Sequence, residues 1–198
     1  MKIGFSAEDF GHEAFLEAIR RRWCPHAELV KGHTRGRAGL RRAMEICKVC
    51  EELKAKDADI IVLAVDANSE SWREVLDQQE ARVPAAFEHC VIHAVAARNV
   101  ECWLVLDRSR AAEAIGVDET KLDVDDPKPL VHRALGITTY DHKDNQLIEL
   151  AHTMRFNIVL TGDSEAAKSL KRFYEDARDL AQRTGCSGFP NELEAPAP

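Results

Sequence analysis

Residues 60–65, IIVLAV, form an unbroken apolar run rich in β-branched side chains. A strand that faces water on one side alternates apolar and polar residues. One that is apolar throughout must be covered on both faces, as in the interior of a parallel sheet. Parallel strands in turn need long crossover connections, usually helices. The chain supplies these parts. Residues 2–6 (KIGFS), 27–30 (AELV) and 91–95 (VIHAV) read as further strands. Apolar stripes at helical spacing lie between them: Phe15, Leu16, Ile19 and Trp23, then Ala43, Ile46, Cys47, Cys50 and Leu53 within residues 40–56, then a helix over 70–82. The expectation is an α/β fold: an open, mainly parallel sheet with helices on both faces.

Beyond that core, assigned to residues 1–107, the pattern changes. An acidic, proline-containing loop at 123–129 interrupts regular structure, and Pro127 or Pro129 opens a short helix through Leu135. Helical stripes resume over 143–157 (Leu147, Leu150, Met154) and 164–182 (Leu170, Phe173, Ala177, Leu180). Residues 108–186 therefore read as a helical C-terminal extension and 187–198 as a flexible tail. No apolar run approaches the ~20 residues needed to cross a bilayer. The opening residues turn polar too soon for a signal peptide. Six cysteines at irregular spacing read as reduced thiols, and the chain is expected in the cytoplasm. Cys47 and Cys50 are a CxxC on a helical stripe, so they are expected on or near its buried face rather than in a zinc or redox site.

In open α/β sheets, functional groups gather just past the carboxyl ends of the strands. Glu8 and Asp9 follow the first strand; Asp66, Asn68 and Glu70 follow the apolar run; Arg98, Asn99 and Glu101 follow the fourth. Carboxylates on neighbouring strand ends repel, so a cation or a basic residue must compensate them. Mg²⁺ or Mn²⁺ suits such oxygen donors and can activate a water against a phosphodiester. Arg35, Arg37, Arg41 and Arg42 sit in and after a glycine-rich loop, where they can grip phosphate oxygens. A net charge of -7 argues against a nucleic-acid coat protein but not against a metal-dependent enzyme. Each acid also has an ordinary reading: Glu8 as a helix cap, Asp66 as a turn former, Glu101 as a first-turn helix acid. The spacing of His12, His89 and His93 is not diagnostic of a metal cluster. Trp103, Leu104 and Leu106 read as core. Asp107 reads as a structural cap or a partner of Arg98 or Arg110.

Several of these segments carry a resemblance. Residues 8–15 (EDFGHEAF) resemble the glutamate turn of Toprim domains, and Asp66-Ala67-Asn68 resembles their DxD element. Residues 100–107 (VECWLVLD) are similar to the E-x-W-L-x-x-D segment of the Toprim-like domain-of-unknown-function family 4276, which is related to the overcoming-lysogenization-defect nucleases. Asp126-Pro127-Lys128 and residues 169–173 (SLKRF) fit the C-terminal half of that group. The resemblance runs from residue 2 to about residue 180 and implies a Toprim-like fold that cleaves DNA or RNA with Mg²⁺. It also implies a phage-defence setting beside an ABC- or AAA-type ATPase, and it leaves homo-oligomerisation open. Carried over, Glu8 is a general base or metal ligand. Asp66 is the principal ligand, assisted by Asn68 or Glu70, and Glu101 binds or orients a second metal. Lys128 is a secondary site residue. The chain departs from the pattern where Asp9 and His12 replace the glycine and carboxylate of the turn, with Glu13 as a substitute one residue on. It departs again at Asn68, an amide in place of the second acid, with Glu70 extending the series to D-x-N-x-E. Three functions follow as expectations: a metal-dependent nuclease, a catalytically degenerate Toprim scaffold or binding subunit, and a small phosphoester-processing enzyme.

Overall fold

The computed structural model describes residues 1–33, 43–123, 125–137, 144–186 and 188–189, and its fold class is the α/β one that the sequence implies. Strands β1 (Lys2–Ala7), β2 (Glu28–Lys31), β3 (Ile60–Asp66) and β4 (Val91–Ala96) form one open sheet in the order β2-β1-β3-β4, every neighbouring pair parallel. Helices α1 (Phe10–Trp23), α2 (Ala43–Ala55) and α3 (Trp72–Glu80) lie in the connections. Register places Phe5, Val62 and Ile92 in one row across three strands, and Ala7, Ala64 and Ala94 in the next. Both rows enter the same core as Phe15, Leu16, Ile19 and Trp23 of α1. The alternate residues Ile61, Leu63 and Val65 join Ile46, Val49, Cys50 and Leu53 of α2 and Trp72, Val75 and Leu76 of α3 on the opposite face. Every residue of β3 is buried, which is why its sequence carries no polar alternation.

The second half of the chain completes the α1 face. It contains α4 (Val100–Leu104), α5 (Arg108–Ile115), a 3₁₀ turn at Glu119–Lys121, α6 (Lys128–Ala134), α7 (Asp144–Thr153), α8 (Phe156–Val159) and α9 (Glu165–Arg183). Leu147, Leu150 and Met154, with Leu170, Phe173 and Leu180, share one apolar cluster with α1 and the sheet. Trp103 is fully buried, stacked on Phe173 at 5.7 Å and tilted against Phe15 at 5.2 Å. Its indole Nε1 donates to Ser169 Oγ at 2.8 Å; the same hydroxyl accepts from Ala97 N at 3.1 Å and donates to Ala166 O at 3.0 Å. One satisfied buried hydroxyl thus links β4, α4 and α9.

Three details differ from the sequence reading. The stripe over 143–157 is two helices, because Arg155 is extended (φ -92°, ψ 92°) and held by Asp107. Asp107 accepts from Arg155 N at 3.1 Å and from Nε and Nη2 at 2.7 Å each, so the side chain it pairs with is that of Arg155, while Arg110 reaches it through its backbone. Cys50 is buried and Cys47 half-buried, which agrees with their expected place on or near the buried face of the helix. The cysteines are not all reduced: Cys24, at the end of α1, is bonded to Cys186, just past α9, with Cα atoms 5.8 Å apart, inside the range a disulfide spans. That pairing removes the thiol argument for a reducing compartment. Among the described residues no helix is long and apolar enough to cross a membrane. Most of the tail expected from 187 onward lies outside the described residues.

His93, in the interior of β4, is buried and faces Gln79 Oε1 across 3.1 Å from Nδ1. Burial, aided by Arg172, holds its imidazole down at about 4. The folded protein therefore resists a proton that the unfolded chain takes up near pH 6.5. Stability from this residue is full above about pH 6.5 and is lost as the pH falls toward about 4, by up to about 3 kcal/mol. Urea unfolding across that range should show a shallower acid loss for His93→Asn than for the wild type; equal slopes would contradict the assignment.

Candidate metal centre at the carboxyl edge of the sheet

Strands β1 and β3 are adjacent and parallel, so their carboxyl ends emerge side by side. Glu8 N donates to Ala64 O at 2.9 Å, and Glu8 Oε2 accepts from Asp66 N at 3.1 Å. Asp9, not Glu8, caps α1: its Oδ1 accepts from His12 N at 3.2 Å and lies 3.1 Å from His12 Nδ1. The first turn of α1 presses against α4 at Gly11, where an added Cβ would lie 2.8 Å from Val100 Cγ1. That close approach brings the far side of the His12 ring to Asp66, with Nε2 at 3.4 Å from Oδ1. Asp66 Oδ1 also accepts from Val100 N at 2.9 Å.

The third contribution comes from β4. Arg98 adopts a left-handed backbone (φ 67°), and Asn99 caps α4 by accepting from Cys102 N at 3.2 Å. Glu101, in the first turn of α4, is 1% exposed. From above, α6 adds a cation and an imidazole: Lys128 Nζ lies 3.3 Å from Asp9 Oδ2 and 3.5 Å from Glu101 Oε1, and His132 Nε2 lies 2.6 Å from Glu101 Oε1.

The electrostatics follow from these contacts. Burial alone would raise Asp9, but the His12 hydrogen bond and the charges of His12 and Lys128 hold it well below the usual carboxylate range. Burial would pull His12 down, yet Asp66, Asp9 and Glu101 push it up to about 9. Lys128 likewise stays charged, since Glu101, Asp9 and Asp66 outweigh its burial. Asp66 is the strained member. Burial pushes it up to about 7, the attraction of His12 and Lys128 opposing and the repulsion of Asp9 and Glu101 adding. Its charge is thus undercompensated, which is what a further cation would relieve.

Glu8, Asp66 and Glu101, chosen from sequence, do share this edge. Asn68 is a turn residue: its backbone is left-handed (φ 57°), its Nδ2 donates to Asp66 O at 3.2 Å and its N donates to Arg98 O at 2.7 Å. Its side-chain amide therefore braces the strand end. Glu70 is exposed and lines a neighbouring cavity of about 1010 Å³ with Trp72, Arg98, Leu106 and Ile158. Glu13 is paired with Lys31 at 2.6 Å. Arg35, Arg37, Arg41 and Arg42 lie outside the described residues. Three residues of the cluster were not among the site residues expected from sequence: Asp9 and His12, noted there at the strand end and in the turn but given no site role, and His132. The i, i+3 spacing of Asp9 and His12 across a helix start, and the i, i+4 spacing of Lys128 and His132, are signals that could have marked them.

Among the described residues, no three His, Cys, Asp or Glu side chains converge as a ready ligand set. The Lys128 ammonium group stands between Asp9 and Glu101. The donor chemistry nonetheless suits a hard cation. Glu101 Oε2 is buried and, among the described residues, has no hydrogen-bond partner, and Glu8 and Asp66 supply carboxylates at the same sheet edge. Comparison with protein-family models, curated proteins and solved structures finds no match.

His12 contacts both Asp9 and Asp66. Its replacement by leucine leaves two buried acids short of a cation and should cost about 3 kcal/mol, read from urea unfolding at pH 7. The double variant His12→Leu/Asp66→Asn should recover a measurable part of that loss. Additive losses would show that the His12–Asp66 contact carries no coupling.

Proposed function

We propose that this chain is a divalent-metal-dependent phosphodiester hydrolase acting on nucleic acid, a Toprim-like nuclease. The observation that carries the reading is the placement of Glu8, Asp66 and Glu101 at one sheet edge, Glu8 accepting from the Asp66 backbone and Asp66 from Val100 N beside Glu101, with Glu101 Oε2 buried and unpartnered among the described residues. Buried acids at neighbouring strand ends destabilise a fold, and a compensating role for them in binding a cation and a phosphate explains their placement. Glu8, Asp66 and Glu101 would hold Mg²⁺ or Mn²⁺, with Glu70 as a further acid at the rim. A bound ion would supply Lewis acidity to a phosphoryl oxygen and a more acidic water.

The chain's own residues divide the remaining work. His12, 1% exposed, positions Asp9 and Asp66 and does not face substrate. Lys128 is part-exposed at the mouth of the cluster, where its ammonium can take a phosphate oxygen. Arg35, Arg37, Arg41 and Arg42 would hold the flanking phosphates. With a net charge of -7, the chain is proposed to engage nucleic acid in the cytoplasm with a partner that supplies basic surface, an ABC- or AAA-type ATPase in a phage-defence system. A second reading has its own observation. Lys128 and His12 already compensate much of the carboxylate charge, which is what a catalytically degenerate Toprim scaffold would require.

The test is cleavage of plasmid DNA and of structured RNA with Mg²⁺ or Mn²⁺. Wild type should cut, and Asp66→Ala and Glu101→Gln should lose about 100-fold or more of the rate. Equal cleavage by all three would point to a contaminant and sink the nuclease reading. No cleavage by a folded, metal-loaded protein would leave the scaffold, and turnover of a small phosphoester in its place would favour a small phosphoester-processing enzyme.

A further inference from the structure

We infer that Lys128 is a built-in counter-ion that a divalent cation must displace from Glu101, so that this one side chain sets the metal affinity of the centre. The inference rests on the metal-centre reading above and concerns what stands in the way of the ion. Glu101 is fixed. It lies on a short helix whose Trp103 is stacked on Phe173 and bonded to Ser169, so the carboxylate cannot retreat from the cluster. One of its oxygens is occupied by His132 and Lys128, and the other is buried without a partner among the described residues. Any cation that reaches this carboxylate meets the Lys128 ammonium, 3.5 Å from Oε1.

Two positive charges cannot share that space. At a few ångströms their repulsion amounts to several kcal/mol at the effective dielectric of a partly buried site. The lysine is the member able to move. Its side chain is 35% exposed, against 2% for that of Glu101, and it ends a flexible four-carbon stem. The backbone beneath it is held: Asp123 Oδ1 accepts from Asp125 N at 2.9 Å and from Asp126 N at 3.3 Å, and Asp126 lies 3.6 Å from Arg98. Displacement is therefore a swing of the side chain and not a movement of the loop. Asp9 Oδ2, 3.3 Å from Nζ, can keep the ammonium at the mouth of the centre as it leaves Glu101. Before metal binds, the same lysine holds Asp9 and Glu101 together, so metal affinity and metal-free stability are set against each other.

Isothermal titration of MnCl₂ into wild type, K128M, K128R and E101Q, with thermal melts in EDTA and in Mn²⁺, tests this without any substrate. K128M should bind Mn²⁺ about tenfold more tightly than wild type or better, K128R should bind like wild type, and E101Q should show no saturable binding. K128M should melt below wild type in EDTA and recover in Mn²⁺. If K128M does not fold in EDTA, K128Q carries the same comparison, because it removes the charge and keeps a hydrogen-bond donor. Affinity of K128M equal to or weaker than that of wild type, with binding lost in E101Q, would overturn the role of Lys128 and leave the metal centre standing. Binding retained in E101Q would place the ion elsewhere and overturn the inference. No saturable binding by any folded variant or by wild type would overturn the metal centre itself, and the inference with it.

Discussion

Acids buried beside one another at the end of a parallel sheet need positive charge close by, and the rest of this molecule is arranged around that need. Glu8, Asp9, Asp66 and Glu101 come from three strand ends, and each of the last three is buried or nearly so. Ionised together and uncompensated, they would oppose folding more strongly than any single packing contact could offset. His12 answers from inside, between Asp9 and Asp66. Lys128 answers from above, against Asp9 and Glu101, and the His132 ring lies against Glu101 beside it.

Meeting that need ties the two halves of the chain together. The sheet and α1 provide the acids and one cation, while the Lys128 ammonium and the His132 ring arrive on α6, in the helical extension. The extension is also the cover of the α1 face of the sheet, since α7 and α9 share its apolar cluster. The line from core to chemistry is short: Phe173 packs on Trp103, Trp103 is two residues from Glu101, and both lie on α4. Packing on α9 thus fixes the carboxylate whose second oxygen stands unpartnered. Asp66 is left as the group whose burial is least well compensated, which makes it the natural point for an added ion.

Much of the fold was legible because its signals are local. The apolar run at 60–65 had to be an interior strand, the stripes at helical spacing had to be its crossovers, and Pro127 marked the start of α6. The break in the stripe over 143–157 was not legible, because Arg155 leaves the helix for Asp107, 48 residues away in the chain. The Cys24–Cys186 bond, 162 residues apart, was hidden for the same reason. At the site, the strand-end rule found Glu8, Asp66 and Glu101. It passed over His12 because a histidine inside a helix pattern gives no sign of facing a carboxylate from another strand. Asn68 was read as an assisting ligand from its alternation with Asp66; its left-handed backbone, which the alternation did not signal, places it in a turn at the strand end.

The most direct test of the account is diffraction from crystals soaked in Mn²⁺, recorded to show anomalous scattering. The account predicts one strong anomalous peak within bonding distance of both Asp66 and Glu101, on the Glu101 Oε2 side, with Lys128 drawn away from Glu101. A structure with no peak at that edge at saturating Mn²⁺, and Lys128 still seated between Asp9 and Glu101, would contradict it.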